Sequence, residues 1–212
     1  MLNSAYQFSS IAATELEYGL NIEKRTIFLN GEIEAGDGLF FTQKMELLNR
    51  FSINCVEENN PITIIINSGG GDVYAMFAII DAIRGSKSLV HTVGTGQIMS
   101  AASLIIAAGT GKRIVTPNTS LMIHEMSTGL AGNTSLIRAN SKHIDQLQDR
   151  FVRLYEEFTG KASSFWKRKM VNELYLSAEE ALQYGLIDEI TYDFRGALTP
   201  PEKEEEEIPD EA

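Results

Sequence analysis

Gly94-Thr-Gly-Gln-Ile-Met-Ser-Ala-Ala-Ser103, continued by Leu-Ile-Ile-Ala-Ala-Gly109, contains a serine between a glycine-rich turn and an apolar helix. The residues before it, Leu89-Val-His-Thr-Val93, have the composition of a β-strand. Such a turn places Ser100 at a helix N-terminus, where unpaired N–H groups favour developing negative charge. A serine in this position is more often only a cap, so the motif allows both a nucleophile and a cap.

A glycine cluster and a histidine are candidates for the oxyanion donor and the base that a nucleophilic serine needs. The glycines at 69–71 follow the β-rich run 61–67, and glycine lets backbone N–H groups approach a substrate oxygen. The strand-like run 120–123 ends in His124, whose imidazole suits proton transfer from a hydroxyl. The glycines also suit a tight turn before a helix, and His124 also suits a packed core position. Spacing alone does not show that these groups meet.

The rest of the chain alternates short β-rich runs with helical patterns. Strands are predicted over 25–29, 61–67, 89–93 and 120–123, and helices over about 38–57, 73–83 and 100–108. This order predicts one α/β domain with a mainly parallel sheet covered by helices. His91, inside a strand, and His143 are interpreted as structural or surface residues.

Composition limits the classes of function. The 212 residues are 43% hydrophobic, which is enough for one sizeable core, and no apolar run approaches the ~20 residues of a membrane helix. One cysteine excludes an internal disulfide, and the N-terminus does not resemble a signal peptide, so a cytoplasmic location is expected. Residues 202–212 hold seven acidic side chains and one lysine, so they contribute −6 of the formal charge of −11. Without a basic stripe, nucleic acid is not an expected ligand.

Residues from about 135 to 159 predict one long helix with a narrow apolar seam. Ile137, Ile144, Phe151 and Phe158 recur every seven positions. At 1.5 Å per residue the helix would be ~36 Å long, which exceeds what a small domain needs for its own core. The pattern fits a helix that seeks a partner subunit, and it equally fits an ordinary core helix.

The ordered motifs resemble those of the proteolytic subunits of Clp proteases, a family of serine peptidases with a crotonase-like fold. The likeness covers about residues 25–190, and it is carried by the segments Arg25–Ile33, Ile66–Val73, Gly96–Gly109, Leu121–His124 and Ser177–Asp188. Position 69, a glycine here, is where the family has the proline of a Ser-Pro-Gly-Gly turn. The resemblance therefore implies an α/β fold of stacked, mainly parallel sheet turns covered by helices, with a protruding handle helix.

The same resemblance implies roles for individual residues. Ser100 would be the nucleophile and His124 the general base, with backbone N–H groups of Gly70 or Gly71 and of Ala101 forming the oxyanion hole. The family's third residue is an aspartate, and its position falls on Glu173. A glutamate can orient an imidazolium as an aspartate does, although its extra methylene must be accommodated. The alternative is a solvated glutamate beside a slower serine–histidine pair.

The resemblance also implies an assembly. It predicts an N-terminal segment over 1–24 that docks an ATPase, a peptidase domain over 25–192 and a disordered acidic tail over 193–212. Substrates would be unfolded polypeptides fed by an AAA+ unfoldase into a homo-oligomer of heptameric rings stacked in pairs, with no metal, nucleotide or other cofactor on this chain. The glycine and serine motifs also resemble Clp-like proteases of tailed phages that mature capsids. A non-catalytic ring subunit and an acyl-CoA hydratase or isomerase of the same fold stay open.

Overall fold

The computed structural model of the chain describes residues 13, 15–52 and 60–198. Most of the predicted segment 1–24, the end of the helix predicted over 38–57 and the tail from residue 199 onward lie outside the described residues. Across those described ranges, no helix has both the length and the hydrophobicity that crossing a bilayer requires.

Helices and strands alternate as the sequence predicts. The strands are β1 Leu20–Asn21, β2 Thr26–Ile33, β3 Ile62–Gly71, β4 Val90–Met99, β5 Arg113–Val115, β6 Ser120–Ile123, β7 Leu174–Leu176 and β8 Glu189–Ile190. The helices span α1 Asp37–Ser52, α2 Val73–Arg84, α3 Ala101–Ala107, α4 Thr134–Thr159, α5 Ser163–Lys169, α6 Ala178–Tyr184 and α7 Phe194–Leu198. Asp72 caps α2, because its side chain accepts a hydrogen bond of 2.8 Å from the Ala75 N–H.

One sheet contains these strands in the order β1-β2-β3-β4-β5-β8, and β6 pairs with both β4 and β7. The pairs β1–β2 and β6–β7 are antiparallel, whereas the other pairs are parallel. Parallel neighbours need crossover connections, and α1, α2 and α3 lie in those connections. The predicted fold class, a mainly parallel sheet covered by helices, is therefore confirmed.

The glycine-rich turn predicted before Ser100 is shorter in the structure than the sequence indicates. Strand β4 continues to Met99, because Gln97, Ile98 and Met99 pair with residues 120–122 of β6. The change of direction is confined to Ser100, which separates β4 from α3. The nucleophile candidate consequently follows a strand that is held on both sides by neighbours.

Helix α4 is partly core and partly uncovered. Its 26 residues make it ~39 Å long. Leu147, Phe151 and Tyr155 in its second half are buried, whereas Leu136 and Ile137 near its start are 48% and 38% exposed. The core interpretation of the apolar seam therefore holds for the second half, and a partner for the first half stays a prediction.

The predicted disordered tail begins too early. Residues 194–198 form α7, whose first turn is closed by a 2.9 Å hydrogen bond from the Gly196 N–H to the Asp193 carboxylate. Lys112 Nζ donates to the Ala197 carbonyl at 2.6 Å and ties this helix to the sheet. Composition alone did not reveal these contacts, because the acidic residues that suggest disorder start only at residue 202.

Candidate active site

Ser100 and His124 meet at the carboxyl ends of two neighbouring parallel strands. Met99 of β4 is in register with Met122 of β6, and the Ser100 N–H donates to the Met122 carbonyl at 2.8 Å. The two residues that follow these strands are thereby adjacent, and Ser100 Oγ lies 2.8 Å from His124 Nε2. Both side chains are half-buried. This is the geometry in which an imidazole accepts a proton from a hydroxyl.

The backbone conformation of Ser100 is unusual, and its hydroxyl does not cap the helix that follows. Its φ is 53° and its ψ is −123°. Residues other than glycine rarely adopt this backbone conformation, which costs about 1–3 kcal/mol. Ser100 occupies the N-cap position of α3 but makes no side-chain capping hydrogen bond. The interpretation of Ser100 as a simple cap is therefore wrong, because its hydroxyl is directed to His124.

Gly70 lies against this turn at a distance that only a glycine permits. A Cβ atom built on Gly70 would lie 2.7 Å from the Met99 carbonyl oxygen, 2.7 Å from Ser100 Cβ and 2.9 Å from the Ala101 nitrogen. Its φ of +94° also favours glycine. The glycine cluster therefore provides a close backbone approach to the serine, in addition to the turn before α2.

The candidate oxyanion donors do not all have free N–H groups. The Gly70 N–H donates to Ser68 Oγ at 3.1 Å, so it is already used. A Cβ on Gly71 would meet the Ile33 backbone of β2, whereas Gly70 is the glycine that lies against the Ala101 nitrogen. Gly70, Gly71 and Ala101, the first residue of α3, therefore stay the candidate donors.

The Glu173 carboxylate is engaged by a partner other than His124. Ile123 and Leu174 form the last pair of β6 and β7, so His124 and Glu173 are the residues just beyond that pair. The Tyr175 hydroxyl donates to Glu173 Oε2 at 2.9 Å, and this bond to a negative charge raises the pKa of Tyr175. Among the described residues, the hydrogen bond of the Glu173 carboxylate goes to Tyr175 rather than to the imidazole.

Gln148 of α4 positions the segment that carries His124, and the sequence analysis missed it. Its Oε1 accepts the Met126 N–H at 3.0 Å, and its Nε2 lies 3.3 Å from Met170 Sδ. The Glu125 N–H donates to the Met170 carbonyl at 3.1 Å. The only sequence signal for this role is a polar residue next to buried Leu147 in the apolar seam.

Replacing Gln148 by alanine should lower kcat for a peptide about three- to tenfold, because an unanchored Met126 amide lets His124 move from its 2.8 Å contact with Ser100. Gln146→Ala is the matched control, since Gln146 is an exposed glutamine on the same helix. Steady-state kinetics on purified variants measure both effects. Equal kcat values for the two variants would remove Gln148 from the description of the site.

The other histidines have partners of their own. His91 Nδ1 accepts the Lys112 N–H at 2.7 Å, and burial together with the nearby Lys112 charge lowers the pKa of His91. His143 Nε2 lies 2.8 Å from the Tyr74 hydroxyl on the surface. These contacts agree with the structural interpretation of both residues. Within the described part of the chain, no cluster of three His, Cys, Asp or Glu side chains is arranged to hold a metal ion.

The family model for Clp protease matches residues 13–193. The chain belongs to the Clp protease family. That match includes both strands that deliver Ser100 and His124, and it confirms the resemblance found in the sequence motifs. The predictions of a Clp-type fold and of a serine peptidase of this family are confirmed with it.

Individual Clp relatives match over most of their length. The ATP-dependent Clp protease proteolytic subunit of Deinococcus radiodurans is 36% identical over 174 residues, which cover 82% of this chain and 83% of the relative. Subunit 2 of Pseudomonas aeruginosa is 31% identical over 192 residues, covering 90% and 92%. A solved point mutant of ClpP1 from Listeria monocytogenes is similar with a TM-score of 0.74 and 33% identity, covering 84% of this chain and 96% of that one.

Proposed function

We propose that this chain is the proteolytic subunit of a Clp-type chambered protease, a serine endopeptidase that degrades unfolded polypeptides. The observation that carries the proposal is the 2.8 Å contact between Ser100 Oγ and His124 Nε2, at a turn whose backbone is held in a rarely adopted conformation. A nucleophile needs a base within hydrogen-bond reach, and this pair meets that requirement in a chain of a serine peptidase family.

The geometry suggests how the residues divide the reaction. Ser100 Oγ attacks the peptide carbonyl carbon while His124 Nε2 takes the hydroxyl proton. The carbonyl oxygen becomes an oxyanion that the N–H groups of Ala101 and of Gly70 or Gly71 stabilise. The imidazolium then gives its proton to the leaving amine, and an acyl-enzyme remains on Ser100. A water molecule activated by His124 hydrolyses that ester and regenerates the hydroxyl.

Glu173 is proposed as the third residue, the one that orients His124. For His124 Nε2 to accept a proton, its Nδ1 must carry one, and a carboxylate on Nδ1 holds that tautomer. Glu173 and His124 lie just beyond the last pair of β6 and β7, and the proposed bond requires the Glu173 carboxylate to exchange its partner Tyr175 for Nδ1.

Glu173→Ala should therefore lower turnover at least about tenfold without disturbing the assembly, because the imidazolium formed in the reaction loses its counter-charge. Tyr175→Phe is the informative control: it removes the competing hydroxyl, so turnover should stay within about twofold of wild type or rise. Peptidase kinetics with sedimentation of each variant measure both properties. Unchanged turnover in Glu173→Ala would leave the site as a serine–histidine pair.

The proposed assembly is a homo-oligomer of heptameric rings, stacked in pairs and located in the cytoplasm, that receives substrates from an AAA+ unfoldase. Its support is the uncovered first half of α4, where Leu136 and Ile137 are exposed, and the relatives, which are named as ATP-dependent proteolytic subunits. Burial of apolar surface contributes about 25 cal/mol per Å², so a long seam favours association over the monomer. The proposed organisation is a docking segment over 1–24, a peptidase domain over 25–192, and an acidic tail that follows α7.

A fluorophosphonate probe tests the catalytic proposal. The probe phosphonylates a serine only where a base activates it, so wild-type protein should gain one adduct per chain, and peptide mapping should place it on Ser100. The Ser100→Ala variant should gain none. An unlabelled, folded wild-type protein would favour the non-catalytic ring subunit. An adduct on Ser103 would show that Ser103 rather than Ser100 is the nucleophile.

A further inference from the structure

A chain of two buried hydroxyl groups lies beneath Ser100. Ser103 Oγ is 2.6 Å from the Ser100 carbonyl oxygen and 2.5 Å from the Tyr155 hydroxyl, and both side chains have no exposed surface. Ser103 belongs to α3 and Tyr155 to α4, 52 residues later in the chain. A serine that bonds back to the carbonyl three residues earlier is common in helices, but the buried tyrosine behind it has no local cause.

The proton positions in this chain follow from what each atom can do. A carbonyl oxygen only accepts, so the single hydroxyl proton of Ser103 goes to the Ser100 carbonyl. The 2.5 Å contact with Tyr155 then requires Tyr155 to be the donor to Ser103 Oγ. Burial raises the pKa of Tyr155, which keeps its proton available. The direction is thus Tyr155 to Ser103 to Ser100.

The Ser100 carbonyl and the Ala101 N–H belong to the same planar peptide unit. We propose that Ser103 and Tyr155 are positioning residues, which aim and polarise the Ala101 amide of the oxyanion hole through the Ser100 carbonyl. This inference deepens the proposed function and rests on it. The Ser100 carbonyl also accepts the Ser103 N–H at 3.0 Å, so the hydroxyl adds a second bond that further restricts the orientation of the plane. Such a bond also makes the N–H of that plane a stronger donor.

The position of the tyrosine hydroxyl is itself fixed by packing. The Tyr155 ring lies edge-on to Phe151 at 5.1 Å between ring centres and against Trp166 at 4.9 Å. Aromatic contacts of this kind hold a ring in one orientation. The hydroxyl therefore presents its proton to Ser103 from a rigid platform, which is what a positioning role requires.

The test compares Ser103→Ala, Tyr155→Phe and the double variant, using a short peptide substrate and a peptide boronate. The boronate forms a tetrahedral adduct on Ser100 whose oxygen occupies the oxyanion hole, whereas KM for the peptide does not depend on that oxygen. Loss of an oxyanion donor costs about 10²–10³ in kcat, and a misaimed donor costs less. We expect kcat to fall about tenfold in Ser103→Ala and about threefold in Tyr155→Phe.

Three further readouts separate positioning from a general structural role. KM should stay within about twofold, and boronate affinity should weaken in proportion to kcat. The double variant should be no more than about twofold slower than Ser103→Ala, since both hydroxyls act through one carbonyl. Tyr184→Phe is the matched control, because its ring joins the same aromatic cluster by contacting Trp166, and all its kinetic constants should match wild type.

Variants with kcat and boronate affinity within twofold of wild type would overturn the inference. So would effects that multiply in the double variant, or a rise in KM as large as the fall in kcat, since either places the hydroxyls outside the oxyanion hole. If the wild-type protein is active and the variants give any of these results, the inference is overturned and the proposed function still stands. A folded wild type that neither cleaves peptide nor binds boronate overturns the proposed function, and the inference with it.

Discussion

Ser100→Ala and His124→Ala should each lower kcat for a peptide by about 10⁴-fold or more, with little change in KM. The hydroxyl forms the bond to the substrate, and the imidazole 2.8 Å away takes its proton, so removing either one ends the same step. The double variant should be no slower than the single variants, because a half-complete pair performs no part of that step. Hydrolysis of a chromogenic peptide measures all three.

Two replacements of the same chemical kind serve as controls for this prediction. Ser164→Ala and His143→Ala change an exposed serine and an exposed histidine away from the pair, and both should retain wild-type kcat. Ser100→Ala protein that still turns over the peptide would show that another group attacks the substrate. A double variant far slower than either single variant would show that the two residues act in separate steps.

Gly70→Ala should lower kcat by about 100-fold or more. The added methyl group would lie 2.7 Å from both the Met99 carbonyl oxygen and Ser100 Cβ, so the turn that carries the hydroxyl must move. A displacement of about 1 Å in a reacting group can cost about 10² in rate. Gly70 also has a φ of +94°, where alanine adds backbone strain. The melting temperature of the variant protein should therefore fall as well.

Gly69→Ala is the neighbouring control for this substitution. A Cβ on Gly69 meets no atom within 4 Å, and the residue is exposed, so kcat should stay within about twofold of wild type. The two variants add the same methyl group at adjacent positions of the glycine cluster. Equal activity of the two variants would mean that Gly70 is not held against the nucleophile.

The sequence predicted those parts of the molecule that local patterns encode. The alternation of strands and helices, the placement of Ser100 at a helix N-terminus and the placement of His124 at a strand end all follow from residues within a few positions of each other. The meeting of Ser100 with His124 was implied by a family resemblance, and its cause is the register of β4 with β6. Register is set by the whole sheet, so no short motif states it.

Two kinds of contact were not predicted from the sequence. In one kind, a group bonds to a nearby partner other than the expected one, and in the other, the two residues are distant in the chain. The Gly70 amide donates to Ser68, and the Glu173 carboxylate accepts from Tyr175, although the family resemblance gives both residues a role at the site. A side chain that has two partners within reach does not reveal its choice in its spacing. Gln148 reaches the His124 segment from a helix that begins after it, and this contact also has no local signal.

Helix α4 acts on both halves of the catalytic pair. Gln148 holds the segment behind the base, and Tyr155, seven residues and about two turns later, stands behind the nucleophile. The first turns of the same helix leave Leu136 and Ile137 exposed. If a neighbouring subunit packs on those turns, we expect any shift of α4 to move both supports together, so that assembly would change the activity of the site.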